Sequence, residues 1–315
     1  MKTLIFRDGN LMPALGLGTW KAKGKELKSA VKTAIRVGYR HIDTAAVYGN
    51  EEVIGEALAE IFEEGTFQRK DLFITTKLWN DSHHPDHVIP ALTTSMKKLG
   101  LNYLDLYLIH WPVAFRHGTA MPSHIEDYVP LSEIPSEVTW AQMEEAKKLG
   151  LAKHIGVSNF SVKKLNSLMQ RCGEMPEVNQ IELHPLLQQN TLRDFCKEHH
   201  ILLMAYSPLG SGDRHASMKA ADEPNLFELP IVKTIADKHG VHPAQVLIAW
   251  HICMGVCVIP KSTTPKNIES NFKAAQLKLD AEDMAQLGQL DRNYRYVTGT
   301  FFESPEKGYS NVFDE

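Results

Sequence analysis

The chain has 315 residues, 43% of them hydrophobic and 23% charged, with a formal net charge of -4. This is ordinary soluble-globular usage, and the length is enough to bury most of the unfolded surface without covalent staples. The slight acidic excess excludes the electrostatic footprint of a nucleic-acid or acidic-membrane binder, and no apolar run approaches the ~20 residues that span a bilayer.

The opening run Met1–Phe6 is too short for a signal-peptide core. From there, short apolar runs rich in β-branched residues alternate with longer stretches of helical period. Ala14–Thr19 reads as a glycine-bearing strand. Lys25–Val37 repeats Leu27, Ala30, Val31, Ala34 and Ile35 at helical spacing and stops at Gly38. Arg40–Asp43 is the next strand, Glu51–Phe62 a helix and Asp71–Lys77 a strand. Pro85–Leu99 is a helix with Gly100 as its stop, and Tyr103–Trp111 is a strand apolar enough to be buried on both faces. Ser136–Leu149, His154–Val157, Ser161–Arg171, Val178–Leu183, Gln189–His199 and Ile201–Tyr206 continue the alternation. Helices Pro230–His239 and Pro243–Cys253, strand Val256–Pro260 and helix Pro265–Phe272 complete it, with Ala281–Leu290 as an extra helix.

Eight strands in β-α alternation imply a parallel sheet with helical crossovers, of a size that closes into a (β/α)8 TIM barrel. An open doubly wound sheet is the alternative. No composition break divides the chain, so one domain over residues 1–315 is expected, working as a cytoplasmic monomer. The four cysteines (Cys172, Cys196, Cys253, Cys257) are too few for a disulfide framework and suit a reducing compartment. Two connections, Pro112–Pro135 and Pro208–Leu229, are far longer than the usual ~4–6 residues. Both follow strand C-termini, the catalytic face of a barrel.

No G-x-G-x-x-G opens a helix: Gly16-Leu17-Gly18 and Gly210-Ser211-Gly212 both lack the third glycine, and no P-loop is present. The polar residues at successive strand ends say more: Asp43 and Tyr48, Lys77, His110, Ser158-Asn159, Gln180, Tyr206-Ser207 and Lys261-Ser262. A barrel mouth gathers such groups. Tyrosine, with a reference pKa of about 10, is a poor acid near neutrality, and an ammonium beside it lowers that value. Lys77 is expected to do this for Tyr48, Asp43 to keep Lys77 charged, and His110 to hold the reacting oxygen. Taken singly, Asp43 reads equally as a turn cap, His110 as a core histidine and Tyr48 as a rim aromatic. The order of all four at consecutive strand ends favours chemistry. His83, His84 and His87 lack a supporting carboxylate or thiolate set, and Cys253 and Cys257 have C-x₃-C spacing, so no metal is expected.

The segment His41-Ile42-Asp43-Thr44-Ala45-Ala46-Val47-Tyr48-Gly49-Asn50-Glu51 resembles the first signature of the aldo-keto reductases. Gly156-Val157-Ser158-Asn159-Phe160 and Ile259-Pro260-Lys261-Ser262 resemble their second and third. The likeness runs from about Gly16 to Asn271 and is nearest to the aldose and aldehyde reductase branch. It implies hydride transfer from NADP(H), with dual use of NAD(H) open, to a small-molecule aldehyde or ketone. Tyr48 would be the general acid, assisted by Lys77 and Asp43, with His110 orienting the carbonyl. Ser158, Asn159 and Gln180 would hold the carboxamide and Tyr206 stack on the ring, while Gly18, Thr19 and Trp20 would lie along the cofactor. Ser207, Leu209 and Ser211 would clasp the pyrophosphate, and Lys261, Ser262, Thr264 and Asn271 the adenosine end. Trp20, Val47, Trp79, His110, Trp111 and Phe115 would form the substrate pocket, and the aromatic tail Tyr294–Glu315 would fold over the mouth. Where many NADP(H)-dependent members carry an arginine, this chain has Asn267 beside Lys266, and a usual glutamate is Ser270. The competing readings are a ligand-binding barrel without turnover and a lyase using Lys77 as a Schiff base.

Overall fold

In the computed structural model, which describes residues 2–314, the chain opens with an antiparallel hairpin of β1 (Thr3–Ile5) and β2 (Leu11–Pro13). Met1, at the start of the N-terminal run, and Glu315, at the end of the aromatic tail, lie outside the described residues. Eight parallel strands follow: β3 (Leu17–Gly18), β4 (His41–Asp43), β5 (Phe73–Leu78), β6 (Leu104–Ile109), β7 (Ala152–Ser158), β8 (Val178–Glu182), β9 (Leu202–Tyr206) and β10 (Cys257–Val258). Each pairs with its neighbour in chain order, as short right-handed crossovers dictate. Parallel bridges Leu15 to Val258 and Gly18 to Lys261 join the first strand to the last, so the sheet closes and the open alternative is ruled out. The seam depends on glycine. A Cβ on Gly18 would sit 2.6 Å from the Ile259 carbonyl oxygen, and one on Gly16 would sit 2.9 Å from the His41 ring.

Helices α1 (Gly24–Val37), α2 (Glu51–Glu63), α3 (Pro85–Leu99), α4 (Ser136–Lys148), α5 (Val162–Met169), α6 (Asn190–Glu198), α7 (Pro230–His239), α8 (Pro243–Cys253) and α9 (Pro265–Lys273) form the outer layer, and α10 (Ala281–Gly288) is the extra one. The spans of α3, α7 and α8 match expectation end to end. In each, a proline at the first position supplies the preset φ of a helix start, and Gly100 and Gly240 end α3 and α7 in the left-handed region. None of the described helices is long and apolar enough to cross a membrane.

The hairpin was not expected from the sequence. It closes the end of the barrel opposite the strand C-termini. Phe6 and Met12 are buried with Phe73, Leu106, Leu108, Val178, Met204, Cys257 and Ile259. Phe6 stacks on His154 with ring centroids 3.6 Å apart, and Arg7 Nη2 donates to the Met175 carbonyl at 2.6 Å. Removing the plug should therefore cost stability and leave the other end of the barrel alone. Phe6→Ala is expected to lose about 3–5 kcal/mol, as large-to-small core changes do. The check is a chemical-denaturation curve beside the wild type, where a loss below about 1 kcal/mol would show that the hairpin is no structural plug.

Candidate active site

Strand β4 ends at Asp43, and the next residues turn back through Thr44–Asn50. That turn is pinned by Asn50, whose Nδ2 donates to the Thr19 and Ala22 carbonyls at 2.9 and 3.1 Å and whose Oδ1 accepts from Thr44 Oγ1 at 2.8 Å. Tyr48 sits on the turn, and Gly49 closes it at φ 63. Strand alternation sends Lys77 of β5 into the barrel while Thr76 points out to Glu51 on α2, its hydroxyl donating to Oε1 at 2.7 Å. His110 directly follows β6.

The structure brings these four side chains together. Lys77 Nζ lies 2.6 Å from Asp43 Oδ1 and donates to the Thr44 carbonyl at 2.8 Å. Asp43 Oδ2 accepts from Gln180 Nε2 at 2.8 Å. Nζ also stands 5.2 Å from the centre of the Tyr48 ring, which meets the His110 ring edge-on at 5.7 Å. Lys77 is fully buried, beneath the wall that Asp43, Tyr48 and His110 present to the cleft.

Burial drives the Lys77 ammonium down and the Asp43 carboxylate up, and each is the other's main compensation. Burial and the Lys77 charge hold His110 well below the usual histidine range, so its ring is neutral. Tyr48 departs from expectation. Burial, with Asp43 and Tyr206 adding to it, pushes its phenol well above the ordinary tyrosine value instead of below it. Loss of water around the phenol is the largest cause, and the Asp43 charge, 2.6 Å from Lys77, works in the same direction.

A second row of groups follows around the mouth. Asn159, at φ 65, donates to the His110 carbonyl at 2.9 Å and accepts from the Tyr206 hydroxyl at 2.7 Å. Ser158 Oγ donates to the Gln180 carbonyl at 2.8 Å. Lys21, Ser207 and Ser211 also have positive φ (67°, 49° and 46°). Half of the eight non-glycine residues in that region, among the described residues, thus border one cleft, where stored backbone strain commonly accompanies function.

The cleft is about 1380 Å³. That exceeds the ~300–1,000 Å³ of a typical small-ligand pocket and suits an extended ligand. Gly18, Thr19, Trp20, Val47, Trp79 and Trp111 border it, as do Ser158, Asn159, Gln180, Tyr206, Ser207, Leu209 and Ser211. At the far end lie Lys261, Ser262, Thr264, Lys266, Asn267, Ser270 and Asn271. Thr264 precedes α9 with no side-chain cap, so the first-turn N–H groups and two lysines make that end favourable for an anion. The donor set therefore fits a phosphorylated dinucleotide: amide and hydroxyl groups around a tyrosine ring at one end, cations and a helix start at the other.

Phe115 does not reach the cleft wall. It stands behind Trp79 and Phe302, at ring distances of 6.1 and 5.4 Å. Phe302 takes the place expected of it, packing also on Trp111 at 5.1 Å, and Val297, Thr300 and Phe301 join it on the wall. The tail thus folds over the mouth. Sequence reasoning missed Lys21 and Asp213. The Asp213 carboxylate lies 2.5 Å from Lys21 Nζ and 3.0 Å from Lys261 Nζ, tying the loop 208–229 across the cleft. Its only signal in the sequence was the length of that loop. Among the described residues, the His83-His84-His87 cluster and the Cys253–Cys257 pair form no metal-ligating group. The one grouping close enough, Asp8, His154 and Glu177, lies at the plugged end. There His154 Nδ1 is already 2.8 Å from Glu177 Oε1.

Residues 14–292 match the Aldo/keto reductase family. An aldo/keto reductase of Synechocystis sp. is 48% identical over 317 residues, covering 100% of this chain and 97% of the relative. Aldo-keto reductase family 1 member A1 of Rattus norvegicus is 43% identical over 297 residues (94% of this chain, 91% of the relative). The human protein of that name is 43% identical over 296 residues (93% and 90%).

The ion pair at the centre of the site has a measurable signature. Lys77→Met leaves Asp43 buried with a single neutral donor, and breaking a buried pair costs about 3–5 kcal/mol. Because the folded carboxylate already titrates above its ordinary value, the variant binds a proton more readily folded than unfolded. Its deficit should shrink as pH falls from 7 towards 5 and widen as pH rises. Denaturation midpoints across that range test this, and a deficit independent of pH would remove the unpaired carboxylate as its cause.

Proposed function

The chain belongs to the aldo/keto reductase family, and we propose that it reduces aldehydes and ketones to alcohols with NADPH as reductant. The observation that carries this reading is the convergence of buried Asp43, Lys77 and His110 with half-buried Tyr48 at the head of a cleft whose other end is cationic. When bound, the reduced nicotinamide supplies the hydride. Ser158, Asn159, Gln180 and Tyr206 would hold its ring, Gly18, Thr19 and Trp20 would flank it, and Ser207, Leu209 and Ser211 would take the pyrophosphate. Lys261, Ser262, Thr264 and Asn271 would take the adenosine end with its 2′-phosphate. Asp213, paired with both Lys21 and Lys261, would strap the loop over the bound nucleotide.

Trp20, Val47, Trp79 and Trp111, with Phe301 and Phe302 from the tail, keep water from the carbonyl and leave few polar groups to meet it. His110, neutral at working pH, orients the carbonyl oxygen through a ring nitrogen without competing as a proton source. Tyr48 keeps its proton until the oxygen becomes an alkoxide, a far stronger base than phenolate. Lys77 then stands beside the new phenolate, and Asp43 holds Lys77 charged. The same contacts speak against a Schiff base, since Lys77 Nζ is buried beneath Tyr48 and engaged by Asp43 and Thr44. Four free thiols accord with a cytoplasmic setting for this single barrel domain.

Tyr48→Phe keeps the ring and removes the proton donor. Turnover should fall by roughly 10²–10⁴, while NADPH binding, read by quenching of tryptophan fluorescence, stays near wild type. Retention of more than roughly a tenth of the rate, with chemistry limiting, would displace Tyr48 as the acid.

NADPH should bind more tightly than NADH, because Lys261, Lys266 and the start of α9 favour a 2′-phosphate, and the acidic side chain at that end of the cleft, Asp213, is already engaged by Lys21 and Lys261. Asn267 cannot make the charged bidentate contact of an arginine. Asn267→Arg should therefore tighten NADPH by about 1–3 kcal/mol with little change for NADH, in the same fluorescence titration. Tighter binding of NADH by the wild type would overturn the NADPH assignment.

A further inference from the structure

The tail leaves the barrel at Tyr296 and Val297, and its root is held by the last residue of β8. Glu182 Oε1 accepts from the Tyr296 amide at 2.6 Å and Oε2 from the Val297 amide at 2.8 Å. His184 Nε2 lies 2.9 Å from Glu182 Oε1, and its ring packs on the Tyr296 ring at 4.8 Å. From this anchor the Tyr296 side chain runs into the loop 208–229. Its hydroxyl donates to the Pro224 carbonyl at 2.7 Å. The Arg214 guanidinium lies 5.1 Å from the ring centre. Arg214 donates to the Gly210 carbonyl at 2.7 Å and the Ser211 carbonyl at 3.1 Å, and pairs with Glu223. A Cβ on Gly210 would stand 3.3 Å from Tyr296 Cζ.

One buried side chain thus touches both ends of the loop that carries Asp213, while its backbone begins the segment Val297–Phe302 that walls the substrate end. Tyr296 itself does not border the cleft. The side chain thus meets the loop at two separated points, by a hydrogen bond at Pro224 and by its ring face under Arg214.

We propose that Tyr296 is a positioning residue that couples the strap loop to the tail, so that closure over the cofactor sets the shape of the aldehyde pocket. The proposal rests on the cofactor reading above for what closes the loop. Closing the strap fixes Gly210, Arg214 and Pro224, these fix the Tyr296 ring, and the ring sets the direction in which Val297–Phe302 leaves Glu182. Cofactor affinity and aldehyde discrimination are then linked through one side chain that touches neither ligand.

Tyr296→Phe removes only the bond to Pro224, and Tyr296→Leu also removes the ring beneath Arg214. In hydrogen exchange on the nucleotide-free chain, Tyr296→Phe should speed exchange about fivefold in both segments, 208–229 and 297–302, the effect of one net hydrogen bond. In wild type, NADPH should protect both segments. In the variants its protection should stop at the loop. With chemistry limiting, the KM for a bulky aldehyde should rise about fivefold in Tyr296→Phe, with kcat for a small aldehyde unchanged. A change confined to one segment, or wild-type protection by NADPH that never reaches 297–302, overturns the coupling. If NADPH protects neither segment of the wild type, the cofactor reading is what has failed, and the nucleotide-free exchange still decides the link. Should Tyr296→Leu fail to fold, the phenylalanine variant carries the decision.

Discussion

The contact between Lys77 and Asp43 is the constraint around which the mouth of the barrel is arranged. Two charges removed from water at 2.6 Å are tolerated only if their remaining hydrogen-bonding capacity is met. Thr44 meets it on the cation side and Gln180 on the anion side. Those partners come from the end of β4 and from β8, across the barrel, so satisfying the pair fixes the relative height of strands distant in sequence. Tyr48 and His110 are then placed against it, and their removal from water, more than any single charge, leaves the phenol protonated and the imidazole uncharged.

Strain and charge are shared out differently at the two ends of the cleft. At the inner end, Asn159 adopts a left-handed backbone so that one amide can face both the His110 carbonyl and the Tyr206 hydroxyl. At the outer end, Ser207 and Ser211 are held similarly, their hydroxyls 2.8 Å apart. Asp213 sits between two lysines that would otherwise repel each other. A ligand bearing phosphates can compete for those lysines, which makes the strap responsive to what lies under it.

How far the molecule could be read from its sequence varied with the kind of interaction involved. The barrel was legible because period, proline starts and glycine stops are local signals, and α3, α7 and α8 were placed to the residue. The Asp43, Tyr48, Lys77 and His110 set was legible because strand ends are ordered along the chain. Strands β1 and β2 were not. Three-residue strands carry no period, and their reason for pairing is the open end of a barrel formed by residues far away. The family resemblance implied Phe115 at the ligand wall, yet Phe302, nearly two hundred residues later, stands in front of it. The direction of the Tyr48 shift was missed because desolvation of the phenol, its largest cause, depends on packing that strand order does not reveal. Asp213 and Tyr296 act only through contacts with other loops, which no local pattern records.

The seam between β3 and β10 has a consequence for how the protein is made. In chain order the two sides of the seam are the first and last strands of the barrel, so until Val258 is in place both outer strands lack the partner that closes the sheet. Such edges are templates for pairing with other chains. The partners that close them, Gly16 with Val258 and Gly18 with Pro260, are among the most widely separated in the molecule. Loop closure of that length slows folding and prolongs exposure. The two glycines that let the backbones meet thus also permit the pairing that hides those edges.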